Sequence, residues 1–257
     1  MDPISYRLLL LSLYLSLILL FVYLRKKSFS LPFVFTLSLL LALVRSGQFI
    51  AYAVMGIPTY PIEISHISYF LTCAILLSGI PQLQYVGGYF SFLSGLGYFV
   101  GAMLSPSSMM SGLKTFEFVL AILSHSLLFF FGLMLLFGTR KYQKRVFLYT
   151  ACSFALTLLF AFLVKKDILY PGIPKSSYVI LKMIDGTILT YLFPDIVLTP
   201  LLKVLTIVFL LLSSFLLALL FYAVNRRIFR TTRLIHSEWG LYFLIKPDFF
   251  TTLVKYL

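Results

Sequence analysis

In a chain that is 61% hydrophobic and only 11% charged, one stretch carries a carboxylate, an imidazole and two hydroxyls within a few residues. It reads Tyr60-Pro61-Ile62-Glu63-Ile64-Ser65-His66-Ile67-Ser68-Tyr69, and it opens a long apolar run. Arg45 and Gln48 interrupt an earlier apolar segment, and His125 follows Ser124 in the middle of a later one. A hydroxyl within reach of an imidazole is the minimum for a nucleophile with a general base. A guanidinium can hold a phosphate or a developing oxyanion through its planar fork of donors. An arginine inside a membrane helix is costly and marks a functional site by default, with snorkelling or a structural ion pair as the blander alternative. For His66, beside a rim, a structural network with Glu63 and Arg45 competes with a chemical role. His125, deep in an otherwise apolar helix, reads as functional because an unpaired polar group is expensive there.

Other chemistries fit these residues less well. Glu63, His66 and His125 could supply three ligands to zinc, but the remaining histidine, His236, lies in the C-terminal tail. Neither a metal nor a cofactor is therefore expected. A retinal-type pump would want a lysine midway along the last helix, whereas Lys203 lies at its edge. Ser65 lacks the neighbouring glycines of an intramembrane serine protease. Cys73 and Cys152 sit in apolar segments and form no CxxC or Cys/His cluster, so both read as small buried side chains.

The elements that must position these groups are membrane helices. Mean hydropathy is +1.02, and apolar runs near twenty residues recur, enough to cross about 30 Å of hydrocarbon at about 1.5 Å per residue. The expected spans are 4–24, 31–53, 61–79, 89–104, 116–137, 146–164 and 201–224. The expectation is thus an all-α, seven-helix transmembrane bundle over 1–225, followed by a basic, amphipathic cytoplasmic tail over 226–257. The first span lacks the basic start and cleavage site of a signal peptide and reads as a retained helix. In the second, Ser38, Arg45, Gln48 and Tyr52 are spaced seven, three and four apart, which puts them on one face. The third is expected to start at Pro61, with Pro81, Gly87 and Gly88 marking the loop after it. In the fourth, Gly95, Gly97 and Gly101 allow close helix approach, Gly97 and Gly101 forming a GxxxG match. The stretch from Lys165 to Pro200, semi-apolar and rich in proline, reads as a lid or interfacial helix over the outer mouth.

Charge sets the orientation. The net charge of +13 comes mainly from Arg25 to Lys27, Arg140 to Arg145 and the tail from Arg226, all on one side in this topology. Acidic Asp2, Glu63, Asp167, Asp185 and Asp195 fall on the other. The positive-inside rule then gives an outer N-terminus and an inner C-terminus. It also accounts for the basic excess without nucleic acid, for which no soluble basic face exists. Arg45, Gln48, Glu63, Ser65, His66 and His125 all gather in the outer half. Counting turns puts Ser65 roughly 7 Å and His125 roughly 14 Å below the rim, a difference that tilt or a start inside the mouth could close.

Pro61-Ile62-Glu63-Ile64-Ser65-His66-Ile67-Ser68, taken with Ser105-Pro106, His125 and Ser177-Tyr178, resembles a known pattern. It is similar to the bacterial YwaF-like family of seven-span membrane proteins and their eukaryotic relatives of the transmembrane protein 164 type. That family carries Pro-x-(His or Gln)-x-Cys at the head of the third span, a Ser/Thr-Pro pair after the fourth, a His in the fifth and an Asn-Tyr pair after the sixth. Ser105-Pro106 matches the second element, His125 the third and Ser177-Tyr178 part of the fourth. The resemblance implies acyl transfer between phospholipids or acyl-ester hydrolysis, with membrane phospholipids as partners and a bacterial cytoplasmic membrane as the location. Carried over by position, Ser65 is the nucleophile and His125 the general base. Arg45, Gln48, Glu63, His66 and Tyr178 are the expected substrate-binding residues, Arg45 through its fork of donors. Ser65 replaces the family cysteine and Glu63 the family His or Gln. A hydroxyl is far less acidic than a thiol and demands more activation. The alternative from another class is a lipid-binding or transport protein that uses the same pocket without covalent chemistry. A third reading is a structural or sensory protein whose polar cluster only fixes helix packing.

Overall fold

The computed structural model describes residues 2–27, 30–57, 60–106, 115–173, 178–186, 189 and 195–231. Its elements run α1 (Pro3–Leu24), α2 (Ser30–Val54), α3 (Ile64–Ser78), α4 (Pro81–Leu104), α5 (Thr115–Leu133), α6 (Val146–Lys165), α7 (Val179–Ile184) and α8 (Pro200–Thr231). A π-helical turn, Met134–Gly138, continues α5. Among the described residues there is no strand. Among the described residues six helices are long and apolar enough to cross a membrane: α1, α2, α4, α5 with its π turn, α6 and α8. The architecture is that of an all-helical integral membrane protein. α3 is apolar but has only 15 residues, about 22 Å at about 1.5 Å per residue and short of a full crossing.

Local chemistry explains the helix boundaries. Asp2 caps α1 by accepting the Ile4 and Ser5 N–H groups at 2.9 Å each, with Pro3 in the first turn. α1 buries Tyr6, Leu10, Tyr14, Phe21 and Leu24 and leaves much of its Leu and Ile exposed. A narrow packed stripe on an otherwise apolar cylinder suits a lipid-facing helix. The third helix starts at Ile64 rather than Pro61, because Glu63 is extended (φ −67°, ψ 149°) and serves as the cap position. The turn after it is Gly79-Ile80, where Gly79 adopts the left-handed conformation (φ 66°) that ends helices. Pro81 then opens α4, so Gly87 and Gly88 are helical rather than loop residues. α8 runs through Arg226 and Arg227 to Thr231, past the exit expected at Val224. The proposed amphipathic tail beyond it, with Trp239, Tyr242 and Phe243, lies outside the described residues, as does Ser177.

α4 and α5 form the most extensive helix pair, and glycine makes it possible. A Cβ on Gly95 would stand 2.4 Å from the Phe129 nitrogen and 2.6 Å from the His125 carbonyl oxygen. A Cβ on Gly132 would meet the Phe92 backbone at 2.5 Å. The backbones therefore approach closely through Gly95, one of the three glycines expected to allow it, whereas Gly97 of the GxxxG match has nothing within 4 Å of an added Cβ. α3 packs on α4 through small hydroxyls: Thr72 Oγ1 meets Ser91 Oγ at 2.7 Å and Ser68 Oγ meets Ser94 Oγ at 3.4 Å. At the opposite end, buried Asn225 of α8 donates to the Leu136 and Arg140 carbonyls and accepts the Tyr142 N–H. The π turn widens the helix and frees such carbonyls, and Tyr142 takes a second one, that of Leu135, at 2.5 Å.

Candidate functional site

Arg45 organises the mouth formed where α2 ends and α3 begins. It is 8% exposed, and its donors find acceptors on three helices. Nε donates to Ser124 Oγ at 3.0 Å, Nη1 to Gln48 Oε1 at 2.5 Å, and Nη2 to the Tyr69 hydroxyl and the Leu120 carbonyl at 3.3 Å each. The guanidinium carbon also lies 4.5 Å from the Tyr69 ring centroid, a cation–π distance. Gln48 passes the connection on: its Nε2 donates to Tyr52 at 3.0 Å, and Tyr52 donates to Glu117 Oε1 at 2.6 Å. A buried cation is tolerable only when its donors are satisfied and a counter-charge is near, and the Gln48–Tyr52 relay leads to that carboxylate. A guanidinium has five N–H donors, and these bonds occupy four of them.

Tyr69 is the meeting point. Its ring centroid lies 6.1 Å from that of His66 and 6.2 Å from that of His125. Ser65, four residues earlier on α3, lies one turn away on the same helix face. Among the described residues, no hydrogen bond joins Ser65 directly to His125 or His66. Tyr69 is the sixth residue of α3 whereas His125 is the eleventh of α5. Their contact puts the two rings at one depth, so helix tilt or a start of α3 about 7 Å further in offsets the two helices.

Each imidazole is oriented by a backbone carbonyl. His125 Nδ1 meets the Ser94 oxygen at 3.3 Å, and its ring stacks on Tyr98 with centroids 4.3 Å apart and planes 5° from parallel. His66 Nδ1 meets the Tyr60 oxygen at 3.3 Å, with Phe49 edge-on to its ring. A carbonyl only accepts, so Nδ1 carries the proton and Nε2 keeps the lone pair in both rings. The close α4–α5 approach at Gly95 brings His125 onto Ser94 and Tyr98. α1 supports the same face from behind, with Tyr14 donating to the Gly95 carbonyl at 2.7 Å and Tyr6 hydrogen-bonded to Tyr98 at 3.0 Å.

Glu63 goes elsewhere. Rather than joining Arg45 and His66, its carboxylate accepts the Val179 N–H at the start of α7. It makes no cap hydrogen bond to its own helix and bridges to the α7 backbone instead. Burial holds the Glu63 carboxyl above its usual range, against the N–H groups of Val179 and Ile180 and the Lys182 ammonium, which pull it down. Tyr178 is buried beside it, its phenol raised by the same desolvation and reaching the Tyr60 backbone. Tyr60 packs tilted against Tyr170, with ring centroids 5.3 Å apart, and Lys165 pairs with Asp185 at 2.5 Å. α7 buries Ile180, Leu181 and Ile184, so this part of the 165–200 connection, expected as a lid or interfacial helix, is a short helical plug packed against its neighbours.

The residues thus fall into two groups: Arg45, Gln48, Ser65, His66 and His125 around Tyr69, and Glu63 with Tyr178 at the plug. Tyr69, Ser124, Tyr98 and the Tyr52–Glu117 relay were not legible as site residues, apart from the helical phase of Tyr52. Among the described residues no three or more His, Cys, Asp or Glu lie together as a metal-binding group. Comparison with family models, with curated proteins and with solved structures finds no match for this chain.

Proposed function

We propose that this chain is a lipid acyltransferase or acyl hydrolase embedded in the membrane, acting on phospholipid acyl esters with Ser65 as nucleophile and His125 as general base. The observation that carries the reading is that His125 and buried Arg45 meet at Tyr69, one helical turn from Ser65 on the same face of α3, inside the mouth of an apolar bundle. Ser65 Oγ bonds to the acyl carbon while its proton moves toward His125, whose Nε2 is the free base in the tautomer fixed by Ser94. Collapse breaks the bond to the lipid alcohol, which leaves with that proton. A second lipid or water then takes the acyl group by the reverse steps. In this reading α3 counts as a short seventh span, the N-terminus faces outward and the C-terminus inward, and the membrane is a bacterial cytoplasmic one. Residues 61–68, Ser105-Pro106 and His125 support membership of the YwaF-like family.

The test is phospholipid acyl exchange and hydrolysis by purified protein in vesicles, with Ser65→Ala and His125→Ala beside wild type. Loss of turnover in both supports the reading, and wild-type turnover in both overturns it. One observation favours non-catalytic lipid binding instead: among the described residues Ser65 and His125 are not directly bonded, while each imidazole is held by a backbone carbonyl. That alternative expects lipid binding to persist in Ser65→Ala and to weaken in Arg45→Ala.

A further inference from the structure

We infer that the end of the bundle opposite the mouth binds the phosphate of an anionic phospholipid headgroup, with Arg25 as its principal ligand. The inference is independent of the acyl-transfer reading. Arg25 follows the last turn of α1 and lies back over it, its guanidinium carbon 5.7 Å from the Phe21 ring centroid. Its Cβ lies against Gly138, where an added Cβ would stand 3.5 Å from it, so α1 meets the π turn of α5 there. Among the described residues, Arg25 Nε is buried and has no hydrogen-bond partner. Arg45, by contrast, has acceptors for Nε and for both Nη nitrogens. A buried N–H is nearly always bonded, and a guanidinium only donates, so Arg25 calls for an acceptor.

The surroundings specify the charge and the source of that acceptor. Asn225 of α8 bonds to the Leu136 and Arg140 carbonyls and to the Tyr142 N–H, which draws α8 and the turn before α6 to the same end. Lys26, Lys27, Lys144, Arg145 and Arg226 are exposed there. The carboxylates among the described residues stand at the other end, beside the starts of α1, α3, α5 and α8 or the ends of α6 and α7. The orientation of the chain alone accounts for exposed lysines on this rim; it does not account for a buried, unbonded Nε. A phosphate brings negative charge and several oxygens that match the planar guanidinium fork. Its position makes it a lipid phosphate. The same turns of α1 leave Leu19, Val22 and Tyr23 exposed at 70%, 47% and 60%, an apolar surface for acyl chains. Lys27 Nζ lies 4.9 Å from the Tyr23 ring centroid, and a tyrosine and a lysine together at a helix end mark the headgroup level.

The experiment titrates the full chain in dodecyl maltoside with phosphatidylglycerol, phosphatidylcholine or inorganic phosphate and reads retained adducts by native mass spectrometry. Wild type, Arg25→Gln and Lys26→Gln are compared. Wild type is expected to retain phosphatidylglycerol in preference to phosphatidylcholine. Its apparent affinity should fall about tenfold in Arg25→Gln, as for the loss of a hydrogen bond to a charged group. Lys26→Gln removes the same charge from an exposed neighbour and should stay within about twofold of wild type. Equal losses in the two variants, or no preference for phosphatidylglycerol, would overturn the site and leave a diffusely basic rim. Inorganic phosphate bound as tightly as phosphatidylglycerol, with the same dependence on Arg25, would overturn the lipid assignment. If Arg25→Gln does not fold, Arg25→Lys takes its place, keeping the charge without the fork. A comparable loss of phosphatidylglycerol then supports the site, and wild-type affinity counts against it.

Discussion

A guanidinium buried between helices must be surrounded by acceptors, and that requirement explains more of this mouth than any single catalytic role. Removing it in Arg45→Ala leaves Ser124, Gln48 and Tyr69 without their shared partner, and the expected cost is about 2–4 kcal/mol. Thermal unfolding in detergent measures it; a loss below about 0.5 kcal/mol would mean the network is decorative. The spacing of Arg45, Gln48 and Tyr52 made their common face readable in advance, since the helical period alone fixes it. The partner of Glu63 was not readable, because Val179 lies far along the chain and only tertiary packing brings its N–H near. Glu63 yields a signed pH effect. Its folded pKa lies above its ordinary value of 4.5, so the stability it contributes is complete below that value and is lost as pH rises through the raised one. Gln cannot ionise, so the melting temperature of Glu63→Gln minus that of wild type should grow from about pH 4 to about pH 8. A constant difference across that range would show that Glu63 does not titrate there.

At the scale of elements, α4 and α5 are held by absent side chains. Gly95→Ala must push against the Phe129 backbone and the His125 carbonyl, so it should destabilise the protein by about 1–3 kcal/mol. It should also impair turnover, because His125 is positioned by that approach. Gly97→Ala is the internal control: nothing lies within 4 Å of its new methyl, and exchanging a helical glycine for alanine should be neutral or stabilising by up to about 1 kcal/mol. Equal losses for both variants, read from denaturant or thermal unfolding, would contradict this packing. Glycine-rich composition announced close approach in α4, but which glycine faces the neighbour depends on helix phase and partner. The motif spacing pointed at Gly97, and the contact is made by Gly95. The helix ends of α3 and α4 were misjudged for a related reason. Pro81 opens a helix as well as it ends one, and Gly79, with its positive φ, does the breaking.

At the scale of the whole molecule, an apolar composition made the membrane class and most long helices legible, because about twenty apolar residues have few other fates. It could not show that α3 is short, since its start is set by the extended backbone of Glu63 and its end by the left-handed Gly79. The proposed orientation predicts that a cysteine at position 2 reacts with a membrane-impermeant maleimide in intact spheroplasts, whereas one at position 226 reacts only after lysis. The reverse pattern would invert the bundle and put the mouth on the cytoplasmic side. The central claim concerns Ser65 and is tested most directly by mass spectrometry of purified protein incubated with a phospholipid carrying an isotope-labelled acyl chain. The account predicts a labelled acyl adduct on the peptide containing Ser65, lost in Ser65→Ala and formed more slowly in His125→Ala. Transfer of the label between lipids, or its hydrolysis, with full rate retained in Ser65→Ala would contradict it.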